Sequence, residues 1–117
     1  MQSQTLSFSK VEKSIAKIDN DLNAILEKVT FKFATHNQST IKGKMIVTLC
    51  YEEKPGKVRA KAFKDQSHKN VDKSVNEFIA DKKVQFITQT FIGSSIYTIV
   101  YYVAGKTEDD QQPPTNS

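Results

Sequence analysis

The sequence holds one cysteine (Cys50), no tryptophan, a single arginine (Arg59), two histidines, four glycines and three prolines. One thiol excludes an internal disulfide framework and suits a reducing compartment. So little glycine and proline excludes a collagen-like or linker-dominated chain. Two histidines and one cysteine, far apart in the sequence, do not make a zinc-ligand pattern. Long hydrophobic runs are missing too. The most apolar stretch, residues 91–104, is interrupted by Gly93, Ser94 and Ser95 and falls short of the ~20 residues a membrane helix needs. The start, Met1-Gln-Ser-Gln-Thr5, has neither the basic region nor the apolar core of a secretory signal. A cytoplasmic protein without membrane association is expected. What is present suits folding: 38% hydrophobic residues with seven Phe and four Tyr, against 26% charged, in 117 residues. That is enough for one domain with a modest core.

Charge is unevenly placed. The formal net charge is +4, but residues 107–117 carry Glu108, Asp109 and Asp110 and no base, so residues 1–106 alone carry +7. The acidic tail 107–117 lacks apolar anchors and is expected to be disordered, leaving residues 1–106 as a single domain. Nearly all of the positive charge is lysine, which attracts anions as a point charge and does not fix them in a bidentate fork.

The most informative feature is internal similarity. Ile18-Asp19-x-x-Leu22-Asn23-x-Ile25-Leu26 matches Val71-Asp72-x-x-Val75-Asn76-x-Phe78-Ile79. Val29-x-Phe31 is followed in kind by Val84-x-Phe86, and Ile46-x-Thr48-x-x-Tyr51 by Ile96-x-Thr98-x-x-Tyr101. The chain reads as a tandem duplication, with copies at about 5–52 and 57–104. Each copy is strand, helix, strand, strand. Apolar residues at 11, 15, 18, 22, 25 and 26 recur at the helical period, as do Val71, Val75, Phe78 and Ile79. Ser9 is a plausible cap for the first helix, and Ser67 or Asn70 for the second. Strands are predicted at 5–9, 29–35, 44–51, 58–63, 83–91 and 95–103, with a polar loop over 36–44 and a hairpin at Ile92-Gly93-Ser94. The turn signal Lys54-Pro55-Gly56 predicts that strands 44–51 and 58–63 are antiparallel neighbours. The fold class is α+β: a mostly antiparallel sheet of about six strands with two helices. Strands 44–51 and 95–103 are apolar on both faces, and two helices cover only one face of such a sheet. The other face needs a second sheet, another subunit or a ligand. A homo-oligomer is the favoured expectation, with a sheet folded over itself as the alternative.

Catalytic constellations are scarce. His36 and His68 fall in predicted loops, and Cys50 alternates with apolar residues as a buried thiol does. No Gly-x-Ser-x-Gly elbow, phosphate-binding Gly-rich loop or dinucleotide fingerprint occurs. Asp19 and Asp72 read as solvated helix carboxylates. The expectation is a protein that is not an enzyme and has no cofactor. Binding is better supported. The loop with Lys42 and Lys44, the hydroxyls Ser94 and Ser95, and the start of the second helix with Ser67 and Lys69 gather donors and positive charge. A helix N-terminus favours anions. Lys42, Lys44, Ser67, Lys69, Ser94 and Ser95 are therefore the candidate ligand contacts.

Residues 58–103 resemble a family of very short Bacillus proteins expressed during sporulation. The likeness lies in a strand ending Phe63-Lys64-Asp65, then Val71-x-x-x-Val75-Asn76-Glu77-Phe78-Ile79, then two apolar strands ending Tyr101-Tyr102. It implies a fold and no activity, because the family's role is not established and no catalytic motif is shared. Here the unit is doubled, and the resemblance implies a phage-encoded relative with the unit duplicated. By analogy of size and composition with phage proteins that sequester nucleotide signals of host defence, the leading expectation is a non-enzymatic sponge for a nucleotide or cyclic nucleotide. The alternatives are nucleic-acid binding through an open sheet face bearing Lys32, Arg59 and Lys61, or an inhibitor docking on a host protein.

Overall fold

The computed structural model describes residues 1–9, 15–38 and 44–104. The chain runs β1 (Gln2–Phe8), α1 (Ile15–Leu26), β2 (Thr30–Gln38), β3 (Met45–Glu52), β4 (Val58–Asp65), α2 (His68–Ile79), β5 (Lys83–Ile92) and β6 (Ser95–Val103). The fold is α+β, and every strand pairing is antiparallel. The strands make two sheets, however, where one was expected: β1-β3-β2 and β4-β6-β5. The turn after β3 therefore does not make β3 and β4 neighbours. Both edges of β3 are already taken, by β1 and β2, and the chain must start a new sheet. Lys42, the apolar residue at 11 and the tail 107–117 lie outside the described residues.

The main core lies between the sheets. Met45, Val47, Leu49 and Tyr51 alternate along β3 and point inward. They meet Ile18, Leu22 and Leu26 of α1, Ala60 and Ala62 of β4, and Ile99 and Tyr101 of β6. Phe31 of β2 stacks on Tyr101 with ring centroids 4.6 Å apart and planes at 10°. A second, smaller core lies on the far side of the second sheet. There α2 packs Val71 and Val75 over Ile96 and Val100, with Phe78 set edge-on to Phe63 and Tyr102. β6 is thus buried on both faces, as its sequence requires. The outer face of β3, by contrast, is only half-buried at Ile46, Thr48 and Cys50. Because the second sheet covers the first, the argument for a partner subunit from one half-covered six-stranded sheet falls away.

Helix α1 crosses from its own unit to the other. It lies along the outer edge of β4, where no strand pairs. Asn23 Nδ2 donates to the Ala60 carbonyl at 3.0 Å, and Asn23 Oδ1 accepts the Ala60 N–H at 2.7 Å. Asp19 Oδ1 accepts the Ala62 N–H at 2.7 Å, while Lys61 sits 3.5 Å from its other oxygen. Two helix side chains thus stand in for a missing strand, which satisfies an edge that would otherwise recruit one. Asp19 is no solvated carboxylate. Burial raises its pKa, and the Ala62 N–H and Lys61 only partly offset that. Alanine at 60 and 62 keeps the strand thin enough for the helix to approach.

The two units share element order and strand order, and each carries a β-bulge in its third element, at Lys32 of β2 and Gln85 of β5. The bulges locate equivalent positions. Phe31 and Val84 precede them, and their partners across the sheet are Tyr51 and Tyr102. The sequence match pairs Tyr51 with Tyr101, one residue away and so on the opposite face. Tyr102 accordingly faces α2, while Tyr101 faces the first sheet.

Gly56 is required by packing. A Cβ there would stand 2.5 Å from the Val29 carbonyl oxygen, because the 53–57 turn crosses the start of β2. Thr30 Oγ1 holds that turn by donating to the Lys54 carbonyl at 2.9 Å. Gly93, at φ +63°, opens the two-residue hairpin between Ile92 and Ser95, as expected.

Candidate functional site

Four of the nominated residues lie on two segments that meet at one end of the second sheet. Gln66, in the turn after β4, donates to Ser94 Oγ at 3.2 Å and ties that turn to the β5–β6 hairpin. Ser67, Lys69, Ser94 and Ser95 belong to these two segments, with Lys69 and Ser94 exposed. Lys64 also stands here, its ammonium 5.6 Å from the Tyr97 ring centroid. Lys44 is exposed just before β3, at the corresponding end of the first sheet, and no hydrogen bond among the described residues joins it to this group.

The start of α2 is already occupied, however. Ser67 is its N-cap, in extended geometry, and its hydroxyl accepts the Asn70 N–H at 3.4 Å. Asp65 Oδ1 accepts the N–H groups of Gln66 at 2.7 Å and Ser67 at 3.0 Å, and these bonds hold its carboxyl below the usual carboxylate range. An anion arriving at this helix end meets a carboxylate in place. Only Lys64, Lys69 and the serines remain to attract it.

The cations offered for a nucleic acid are engaged elsewhere. Arg59 Nη1 donates to the Val58 carbonyl at 2.8 Å and the Gly56 carbonyl at 3.3 Å, and reaches the α1 C-terminus at Leu26 O, 3.5 Å away. Lys61 pairs with Asp19. Lys32 is left exposed.

One polar cluster escaped the sequence reading. His36 is no loop residue. It lies in β2, 8% exposed, with Nδ1 3.1 Å from Thr88 Oγ1 of β5. Desolvation lowers its pKa to about 4, so the ring is neutral at physiological pH. Its Nε2 and the Tyr101 hydroxyl, which also lies near Thr88, are buried without hydrogen-bond partners among the described residues. The cause of the misreading is the bulge at Lys32. Strict alternation puts residues 31, 33 and 35 on one face. The extra residue turns Phe33 outward and brings Ala34 and His36 inward.

The last feature is apolar. Ile87 (44% exposed) and Phe91 (55% exposed) lie on β5 beside α2, on the face that α2 only partly covers. Between Phe91 and the helix is a hollow of about 80 Å³ lined by His68, Val71, Asp72, Gln89, Phe91 and Ile96. A broader groove of about 390 Å³ lies beside the end of α1, with Gln4, Ile25, Lys28, Tyr51 and Lys54 in its wall. None of the nominated residues lines either hollow. Among the described residues, no three His, Cys, Asp or Glu side chains are grouped to hold a metal ion, and no helix is long and apolar enough to cross a membrane. Comparison with known proteins finds no matching family model, no matching curated protein and no matching solved structure.

Proposed function

We propose that this chain works by binding, not catalysis, and that its working surface is the apolar strip of β5, which docks on another protein. The observation that carries the reading is the contrast between units. In the first, Ala34 and His36 of β2, which hold the places of Ile87 and Gln89, are buried under the second sheet, and only Gln38, in the place of Phe91, is exposed. In the second, Ile87 and Phe91 stand open to solvent beside a hollow. Exposed large apolar side chains on one strand face, here flanking Gln89 with Phe91 at a concavity, are the usual mark of a docking surface. On this reading the chain is a tandem duplication acting in the cytoplasm as part of an oligomer. A dye that fluoresces on apolar surfaces is expected to bind the folded protein. Ile87→Lys with Phe91→Lys is expected to abolish that signal while leaving stability within about 0.5 kcal/mol. A double variant that unfolds, or dye binding that survives it, overturns the reading.

A second reading has its own support in the Gln66–Ser94 contact, which gathers Ser67, Lys69, Ser94 and Ser95. There the ligand is a phosphorylated small molecule, a nucleotide or cyclic nucleotide held without turnover. Asp65 weighs against tight binding at that end. Reversing Lys42, Lys44 and Lys69 to Glu is expected to lower nucleotide affinity in calorimetric titration about tenfold or more. If the triple variant binds every nucleotide tested as the parent does, these residues are not the site.

A further inference from the structure

We infer that the partner is a second copy of this chain, bound head to tail by repeating the contact between the two units. This rests on the docking reading above and names its occupant.

Within one chain the second unit lays its outer face on the helix side of the first. The parts of that contact are Tyr101 on Phe31, Phe86 edge-on to Phe31 at 6.1 Å, Thr88 on His36, and the β4 edge on Asp19 and Asn23. The helix–edge grip and the Phe86 contact have counterparts left over at the two ends of the molecule, while the places of Tyr101 and Phe31 are held there by the smaller Cys50 and Val84. Asp72 and Asn76 occupy on α2 the places of Asp19 and Asn23, are exposed, and make no hydrogen bond among the described residues. Ile87, Gln89 and Phe91 occupy the places of Ala34, His36 and Gln38, counted from the bulges, and Ile87 and Phe91 stay about half exposed.

The face that fits them lies at the other end. β1 is an edge strand, like β4. Ser3 and Thr5 hold the positions of Ala60 and Ala62, because Ser3 pairs with Cys50 where Ala60 pairs with Tyr101. They are as small as a helix lying along that edge demands. Phe33, 41% exposed on the outer face, holds the place of Phe86. In the docked pair, Asn76 of one copy bonds the backbone of Ser3 in the next, Asp72 takes the Thr5 N–H, and Phe33 meets Val84 at the start of the β5 strip, as Phe86 meets Phe31 within the chain.

The two surfaces differ, so the contact is heterologous. It generates a ring if the rotation closes and a filament if it does not. This geometry has a distinctive test. Ile87→Lys, in the place of the buried Ala34, blocks one surface and Phe33→Lys the other, with Thr5→Lys as a second block of the latter should Phe33→Lys lower the thermal midpoint. In sedimentation velocity over a concentration series, the parent is expected to grow beyond a dimer. Each single variant is expected to lose about tenfold or more in association constant. Mixed in equal amounts, the two variants are expected to form a one-to-one dimer and nothing larger, because each keeps the surface the other lost. A parent that stays monomeric, or variants that fail to pair when mixed, overturns the inference. A monomeric parent that still binds the dye at Ile87 and Phe91 refutes self-assembly alone. One that neither assembles nor binds dye refutes the docking reading as well.

Discussion

Truncating Tyr101 to alanine should destabilise the fold by about 3–5 kcal/mol, the range for an aromatic side chain lost from a packed core. Its side chain has no exposed surface, and it stacks on Phe31 at the centre of the contact between the sheets. The neighbours cannot close the gap cheaply, because Phe31, Ala60 and Leu49 all sit on strands fixed by pairing on at least one side. Tyr101→Phe should do the opposite of what a conservative loss suggests. The Tyr101 hydroxyl is buried with Thr88 nearby but with no well-formed hydrogen bond among the described residues, and burial drives its pKa upward. Removing it relieves a desolvation penalty of about 1–3 kcal/mol, so the phenylalanine variant should match or exceed the parent. Urea denaturation of both variants checks this. A clear loss on going to phenylalanine would mean that the hydroxyl has a bonded partner in solution.

Stability should also fall as pH drops from about 6.5 to about 4, through His36. The ring is held neutral in the folded chain, with its pKa lowered to about 4, while the unfolded chain titrates near the ordinary imidazole value of 6.5. Between those values the unfolded state binds the extra proton, so the contribution is fully present above 6.5 and is lost as pH falls toward 4. At 1.36 kcal/mol per pH unit, the whole effect is about 3 kcal/mol. Asp19 acts in the opposite sense. Its pKa is raised in the fold, so protonating it at low pH favours the folded state. His36→Gln, which keeps a polar group for Thr88 but cannot take up a proton in this range, should flatten the stability profile between pH 6.5 and 4. If the profile of the glutamine variant follows that of the parent, another group titrates.

Both helices, the strand–helix–strand–strand order and the hairpin at Gly93 were legible because each has a local cause: apolar spacing, a capping serine, a glycine at positive φ. The division into two sheets was not. Pairing partners are chosen by competition for the edges of β3, and the Lys54-Pro55-Gly56 turn reads the same whether or not the chain then starts a new sheet. The inward turn of His36 was hidden for a similar reason, since one bulged residue reverses every side chain after it and leaves no mark in composition. Asp19 and Asn23 were visible as a repeated pair with Asp72 and Asn76. That one pair grips a strand edge while the other stands free follows only from which unit lies on which. Of the nominated ligand residues, Ser67, Lys69, Ser94 and Ser95 lie on two segments joined by the Gln66–Ser94 contact, and the carboxylate of Asp65 on the same turn had no signal in the sequence pattern.

Helix α1 belongs to the first unit by chain order and to the second by its hydrogen bonds. Asn23 and Asp19 reach partners 37 and 43 residues further along. Such contacts form only after long loops have closed, which places them late in folding and makes the whole domain, not either half, the cooperative element. Neither unit synthesised alone would have a complete surface to fold against: the first would leave Leu22 and Leu26 without Ala60 and Ala62, and the second would have a bare strand edge. The chain therefore has two similar halves and a single unfolding transition, and the Ala60 and Ala62 amides should exchange with solvent only when the entire molecule opens.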